Sequence, residues 1–171
     1  IRVLKFGKKF TGLGYFRFIS AAPSFLILLF LLGSCHQMES KILVAGCKKT
    51  GKTTLLESVD GHLDENTNNY IVDFQTREDG NVRFICTETS NTKITRHWDF
   101  NGFVVIFDLT NVPSYKEAKS MCRELRMVID KPIALVGNKD DLPKAVHDIA
   151  SHKQFKVQLF SVSAMGKRKQ M

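Results

Sequence analysis

At 171 residues the chain has room for one domain with a buried core, or for a slightly smaller domain with an appendage. Its hydrophobic content of 43% and charged content of 25% are ordinary for a globular domain. The net charge of +8 is unevenly placed: residues 1–40 hold five Lys/Arg against the single acid Glu39, and the remaining excess is too mild for a nucleic-acid partner. Cysteines at 35, 47, 86 and 122 form neither Cys-x-x-Cys nor a metal-ligand spacing with His. That argues against a disulfide framework and fits reduced thiols in a cytosolic compartment.

Composition changes sharply near residue 38. A basic, aromatic stretch is followed by an uncharged run from Phe18 to Gln37, with Phe25-Leu26-Ile27-Leu28-Leu29-Phe30-Leu31-Leu32 at its heart. Three readings of residues 1–38 stand side by side. The run of roughly 20 residues is just long enough to cross a bilayer as a helix, giving membrane association through residues 18–37. Lys8 and Lys9, a short apolar core and Gly33-Ser34-Cys35 also imitate a cleavable signal. Alternatively the stretch is a non-native leader, because Met38-Glu39-Ser40-Lys41 is where a compact domain of residues 39–171 would begin. A single span conflicts with the positive-inside rule, which would put the basic side in the cytosol and the following domain outside it.

From Lys41 the pattern alternates strand and helix. Ile42-Leu43-Val44-Ala45 is a short apolar strand ending in glycine, and a helix is expected from the following loop to about Val59. Tyr70–Gln75 and Val82–Thr87 flank the turn signal Glu78-Asp79-Gly80-Asn81 and read as a hairpin. Phe103–Phe107 is apolar throughout, as a strand buried on both faces should be. Ala118, Met121, Cys122, Leu125 and Val128 recur at helical spacing between Ser114 and Ile129. Ile133–Val136 is a further buried strand, Lys144–His152 a short helix candidate, and Val157–Phe160 a last strand. This alternation implies α/β, an open and mostly parallel sheet with helices on both faces.

Two motifs carry chemistry. Gly46-Cys47-Lys48-Lys49-Thr50-Gly51-Lys52-Thr53 has the spacing G-x-x-x-x-G-K-[ST], with Thr54 next in line. Successive backbone N–H groups of such a loop wrap phosphates at a helix N-terminus, Lys52 supplies a cation to the outer phosphates, and the Thr53 hydroxyl is the Mg2+ ligand. Asn138-Lys139-Asp140-Asp141 follows the buried strand ending in Val136-Gly137, at the carboxyl edge where such sheets bind ligands. The Asp141 carboxylate suits the N1–H and exocyclic amine of guanine, a donor pair that adenine lacks.

With these elements in place the sequence resembles the Ras superfamily of small GTPases, and within it the Rab-like branch, from about Lys41 to Lys167. The resemblance rests on the phosphate loop, Val72-Asp73-Phe74, Val105 to Asn111, Ala134 to Leu142, and Ser163-Ala164. It implies a P-loop NTPase fold of the small-GTPase type (a G domain), GTP/GDP and Mg2+ as ligands, and effector or regulator proteins as partners. It also implies a switch role in vesicle traffic or signalling, in the cytoplasm or on the cytosolic face of a membrane. Ser163 and Ala164 take the place of the family's last guanine-contacting loop. The family's final helix is expected to be missing or short.

The departures from the family pattern point the other way. Where the family carries Asp-x-x-Gly-Gln, this chain aligns Glu88-Thr89-Ser90-Asn91-Thr92, so the Gly that bonds the γ-phosphate and the Gln that orients water are both replaced. Asp99-Phe100-Asn101-Gly102 fits Asp-x-x-Gly as a string but abuts a strand and is rejected as the motif. The family's magnesium-binding Thr aligns with Asn69, and Thr67 would serve only in a shifted register. Lys48 stands where a small residue would admit an arginine finger. The expectation is a divergent small GTPase with retained nucleotide binding and slow hydrolysis; the alternative is an inactive GTP/GDP-binding interaction module.

Overall fold

A computed structural model describes residues 16–17, 39–75, 81–91, 93–94, 96–146 and 157–165. In chain order these form β1 (Phe16–Arg17), β2 (Glu39–Ala45), α1 (Lys52–Glu57), β3 (His62–Asp64), β4 (Asn69–Gln75), β5 (Asn81–Thr89), a 3-10 turn (His97–Asp99), β6 (Gly102–Asp108), α2 (Val112–Val128), β7 (Ile133–Asn138) and β8 (Gln158–Ser161). The strands join one sheet in the order β1-β8-β7-β6-β2-β5-β4-β3. All pairs are parallel except β3–β4 and β4–β5, the hairpins at one edge.

Side chains of successive strand residues point to opposite faces, so each central strand feeds two cores. Ile42 and Val44 of β2, Val104 and Ile106 of β6, Ala134 and Val136 of β7, and Phe160 of β8 join Leu55 and Leu56 of α1. Leu43 and Ala45, Phe103, Val105 and Phe107, Leu135 and Leu159 join Ala118, Met121, Cys122 and Leu125 of α2 on the other face. This burial on both sides explains why β6 and β7 read as unbroken apolar runs. Helix α2 starts where Asn111 Oδ1 accepts the Ser114 amide at 3.2 Å and Pro113 occupies the first turn.

Apart from the Lys144–His152 helix, the sequence-based elements hold with shifts of one to three residues at their ends, and β1 and β3 are additions. Helix α1 is cut short at Glu57: Ser58 Oγ donates to the Leu55 carbonyl, and Asp60 turns the chain in the left-handed region at φ 58°. The chain then enters a hairpin in which His62, Leu63 and Asp64 pair with Ile71, Tyr70 and Asn69. Its turn is tied by Asp64, whose Oδ1 accepts the Asn66 amide and whose Oδ2 accepts the Thr67 hydroxyl at 2.7 Å. The helix expected over Lys144–His152 is absent from its described part: residues 144–146 are not helical, and the Ala145 and Val146 amides bond the Leu109 carbonyl instead. Residues 147–156, the Glu78–Gly80 turn, most of the segment 1–38 and the stretch 166–171 lie outside the described residues. No described helix is long and apolar enough to cross a membrane.

Candidate functional site

The phosphate-type loop leaves β2 through Gly46 (φ 155°) and Lys49 (φ 65°) and enters α1 through Gly51 (φ 84°). Two of these positions exclude a side chain. A Cβ on Gly46 would lie 2.3 Å from the Ile106 carbonyl oxygen, and one on Gly51 would lie 2.3 Å from Asn138 Nδ2. Inside the loop Lys52 is buried, and its ammonium donates to the carbonyls of Gly46 (3.0 Å) and Cys47 (2.9 Å) and to Ser90 Oγ (3.0 Å). Burial holds its pKa below that of a free lysine, while Glu88 Oε1 at 3.9 Å opposes the shift. The loop is thus pre-folded around a cation. Thr50 is buried and ties the loop to itself by donating to the Cys47 carbonyl.

Asn138, at the end of β7, joins three loops. Its Nδ2 donates to the Thr50 carbonyl at 2.9 Å, and its Oδ1 accepts the amides of Ala164 at 3.1 Å and Lys139 at 2.8 Å. The Lys139 ammonium bonds Asp108 at the end of β6. Burial of Asp108 works against its charge, yet Lys139 and the Thr110 hydroxyl and amide hold its carboxyl below the usual carboxylate range.

A cavity of about 470 Å³ opens between these loops, lined by Lys49, Gly51, Lys52, Thr53 and Thr54 from the first, Asn138, Lys139 and Asp141 from the second, and Ala164 from the third. Leu142, Met165 and Glu88 complete it, and Asp141 stands exposed at the rim. Gly46, Cys47, Lys48, Thr50 and Ser163 do not line it: Lys48 is exposed, and the others shape the loops behind. Glu88 comes to the site from the end of β5, accepting the Thr53 hydroxyl at 2.7 Å. A carboxylate and a hydroxyl oxygen in contact beside a phosphate loop form a hard donor pair suited to Mg2+, which usually takes few protein ligands and completes its shell with phosphate and water.

The remaining switch candidates lie elsewhere. Thr67 spends its hydroxyl on Asp64, and Asn69 Oδ1 accepts the Thr87 hydroxyl; neither lines the cavity. Asn91 is exposed and accepts the Lys93 amide, and Thr92 lies outside the described residues. The Asp99–Gly102 string is structural: the Asn101 amide donates to the Lys41 carbonyl at 2.7 Å and its Oδ1 accepts the Lys41 amide at 2.8 Å, near the start of β2 and at the end of the sheet opposite the phosphate loop.

One contact was hidden from the sequence because its partners are far apart in the chain. The Cys47 thiol donates to Glu117 Oε2 of α2 at 2.6 Å. Burial, then this hydrogen bond and the negative charge of Glu117, push the thiol up to about 11. Cys47 is therefore expected to react with iodoacetamide at pH 8 about 100-fold more slowly than a free cysteine, since only the thiolate attacks. Peptide mapping of alkylation over time checks this, and Glu117→Gln is expected to speed it. Alkylation at the free-cysteine rate would refute the assignment.

Comparison with known proteins agrees with this geometry. A family model described as "Ras family" matches residues 41–170. Among curated proteins, the chain is 29% identical over 119 residues to "ADP-ribosylation factor-like protein 13B" of Chlamydomonas reinhardtii, covering 63% of this chain and 23% of that protein. It is 39% identical over 51 residues to "Ras-related protein Rab-21" of Bos taurus, and equally to that of Homo sapiens, covering 29% of this chain and 23% of each relative. The chain thus spans about a quarter of the length of these relatives. With its phosphate loop, its parallel sheet and a match reaching from β2 past β8, the chain belongs to the Ras family.

Proposed function

We propose that this protein binds GTP and GDP with Mg2+ in the cavity between the phosphate loop, Asn138–Asp141 and Ala164, and hydrolyses GTP slowly. The observation that carries the reading is the convergence of Lys52, Thr53, Asn138, Lys139, Asp141 and Ala164, drawn from three separate loops, on one cavity. Lys52 and the loop amides hold the phosphates, Asp141 reads guanine beside Ala164, whose amide is fixed on Asn138, and Thr53 with Glu88 holds the metal. Mg2+ in that position would offset phosphate charge. Ser163 backs the base-reading loop, Lys49 and Gly51 offer backbone amides to the phosphates, and Cys47 and Lys48 shape the loop behind them.

Hydrolysis is slow in this reading because, among the described residues, no group is placed to orient water. The segment that would bring a hydroxyl over the γ-phosphate is folded into the β3–β4 hairpin. The same hairpin supports a second reading, in which the domain of residues 39–171 is an interaction module that holds nucleotide without turning it over. In either case we place it in the cytoplasm or on the cytosolic face of a membrane. Its partners are effector or regulator proteins of Rab-like type, acting in vesicle traffic or signalling.

Titration with a fluorescent GDP, competed by GTP and ATP, tests the binding. GTP and GDP are expected to compete within about tenfold of each other, since few contacts reach the γ-phosphate, whereas ATP should be at least about 100-fold weaker. Phosphate release from bound GTP is expected below about 3 × 10⁻⁴ per second, the unassisted rate of an ordinary member. Equal competition by ATP would refute guanine selection, and faster release would refute slow turnover.

A further inference from the structure

The Lys52 ammonium has three N–H donors, and all three are occupied. Two bond the Gly46 and Cys47 carbonyls at 3.0 and 2.9 Å, and the third bonds Ser90 Oγ at 3.0 Å. Glu88 Oε1, at 3.9 Å, is an ion-pair neighbour beyond hydrogen-bond distance. A phosphate oxygen can therefore bond this ammonium only if one of the three acceptors gives way.

The three are not equal. The bond to the Gly46 carbonyl is buried, so breaking it would strand a carbonyl away from water. The Cys47 carbonyl accepts both Lys52 and, at 3.0 Å, the Thr50 hydroxyl, and these two bonds hold the loop closed on itself. Ser90 is exposed, and water replaces the ammonium there at little cost. Ser90 is the acceptor that yields first.

Its placement follows from the strand before it. Side chains two residues apart on extended backbone share a face. Glu88 in β5 and Ser90 just past its end accordingly meet two neighbours at the head of α1: Glu88 accepts the Thr53 hydroxyl at 2.7 Å, and Ser90 accepts Lys52. Ser90 uses only an oxygen lone pair in this contact. Its own O–H donates to no described residue, so a donor stands ready beside the ammonium.

We propose that Ser90 is a specificity-determining residue that tells triphosphate from diphosphate. With GTP bound, Ser90 releases Lys52 and donates its hydroxyl to an oxygen of the terminal phosphate; with GDP bound, it keeps Lys52. The assignment rests on the nucleotide reading given above. Ser90 does not line the cavity that takes the base and inner phosphates, and it is reached through Lys52. One hydroxyl donor also fits the narrow margin of about tenfold expected between the two nucleotides.

Competition against a fluorescent GDP in Mg2+ tests it, with Ser90→Ala and Ser90→Thr beside the parent. In Ser90→Ala the affinity for GTP is expected to fall about tenfold, the lower end for a hydrogen bond to a charged group. Affinity for GDP should fall by no more than about twofold, because alanine removes a competitor for Lys52 without removing a phosphate contact. Ser90→Thr keeps the hydroxyl, and its ratio of GTP to GDP affinity should stay within about threefold of the parent. A residue that only shapes the loop would weaken both nucleotides alike. Equal loss, no change in either, or a ratio shifted as far in Ser90→Thr as in Ser90→Ala would overturn the role of Ser90 and leave nucleotide binding standing. Failure of the parent to bind fluorescent GDP would overturn the nucleotide reading, and this assignment with it.

Discussion

Lys52→Ala is expected to weaken binding of both GTP and GDP by about 10²–10³-fold. The ammonium sits inside the loop on the Gly46 and Cys47 carbonyls and Ser90, where the proposed function brings the outer phosphates. Hydrogen bonds to charged groups are worth about 1.5–3 kcal/mol each, so losing one or two to phosphate oxygens gives the stated range. The loss should fall on GDP as well as GTP, which distinguishes a phosphate-holding cation from one that acts only during hydrolysis. Folding responds less, because two effects oppose each other. The variant sheds a buried charge, but it leaves two loop carbonyls without their donor and Glu88 without its cation. Calorimetric titration with each nucleotide, beside a melting curve, checks both parts. A fall in affinity below about threefold would remove Lys52 from the phosphate site.

Asp141→Asn is expected to reverse base preference. A carboxylate at the cavity rim accepts from both N1–H and the exocyclic amine of guanine; an amide offers one acceptor and one donor. That pattern suits xanthine, which has an oxygen where guanine has its amine. Two charge-assisted bonds give a loss of about 10²–10⁴-fold for GTP, and the exposure of Asp141 places the effect towards the lower end. Xanthosine triphosphate should then compete better than GTP in the same assay. Retained GTP preference would assign base reading to other groups in the cavity. Because Asp141 makes no contribution to the core, its melting temperature should stay within a few degrees of the parent, about 0.5 kcal/mol in stability.

The central sheet and the two nucleotide motifs were legible because their signals are local. Phe103–Phe107 and Ile133–Val136 announce doubly buried strands by composition alone, and the loop from Gly46 to Thr53 lies between a strand and a helix as its mechanism needs. The position of Glu88 was also readable, by counting along β5. What escaped depends on pairing at a distance. Strand β1 has two residues and exists only through β8, and the Cys47–Glu117 contact joins residues 70 positions apart. Hairpin β3–β4 is the instructive case. Asp64, Asn66, Thr67 and Asn68 form a turn cluster in plain view, but the alignment to the family's first switch suggested a loop over the nucleotide. Local turn chemistry won.

The contact between Gly51 and Asn138 has a consequence for how this sequence can change over time. Any side chain at position 51 would strike the Asn138 amide, and that amide holds the Thr50 carbonyl while its oxygen holds Ala164. Neither residue can drift alone without disturbing all three loops together. A lineage that abandoned nucleotides would be released from both constraints at once, so the two positions should be lost as a pair.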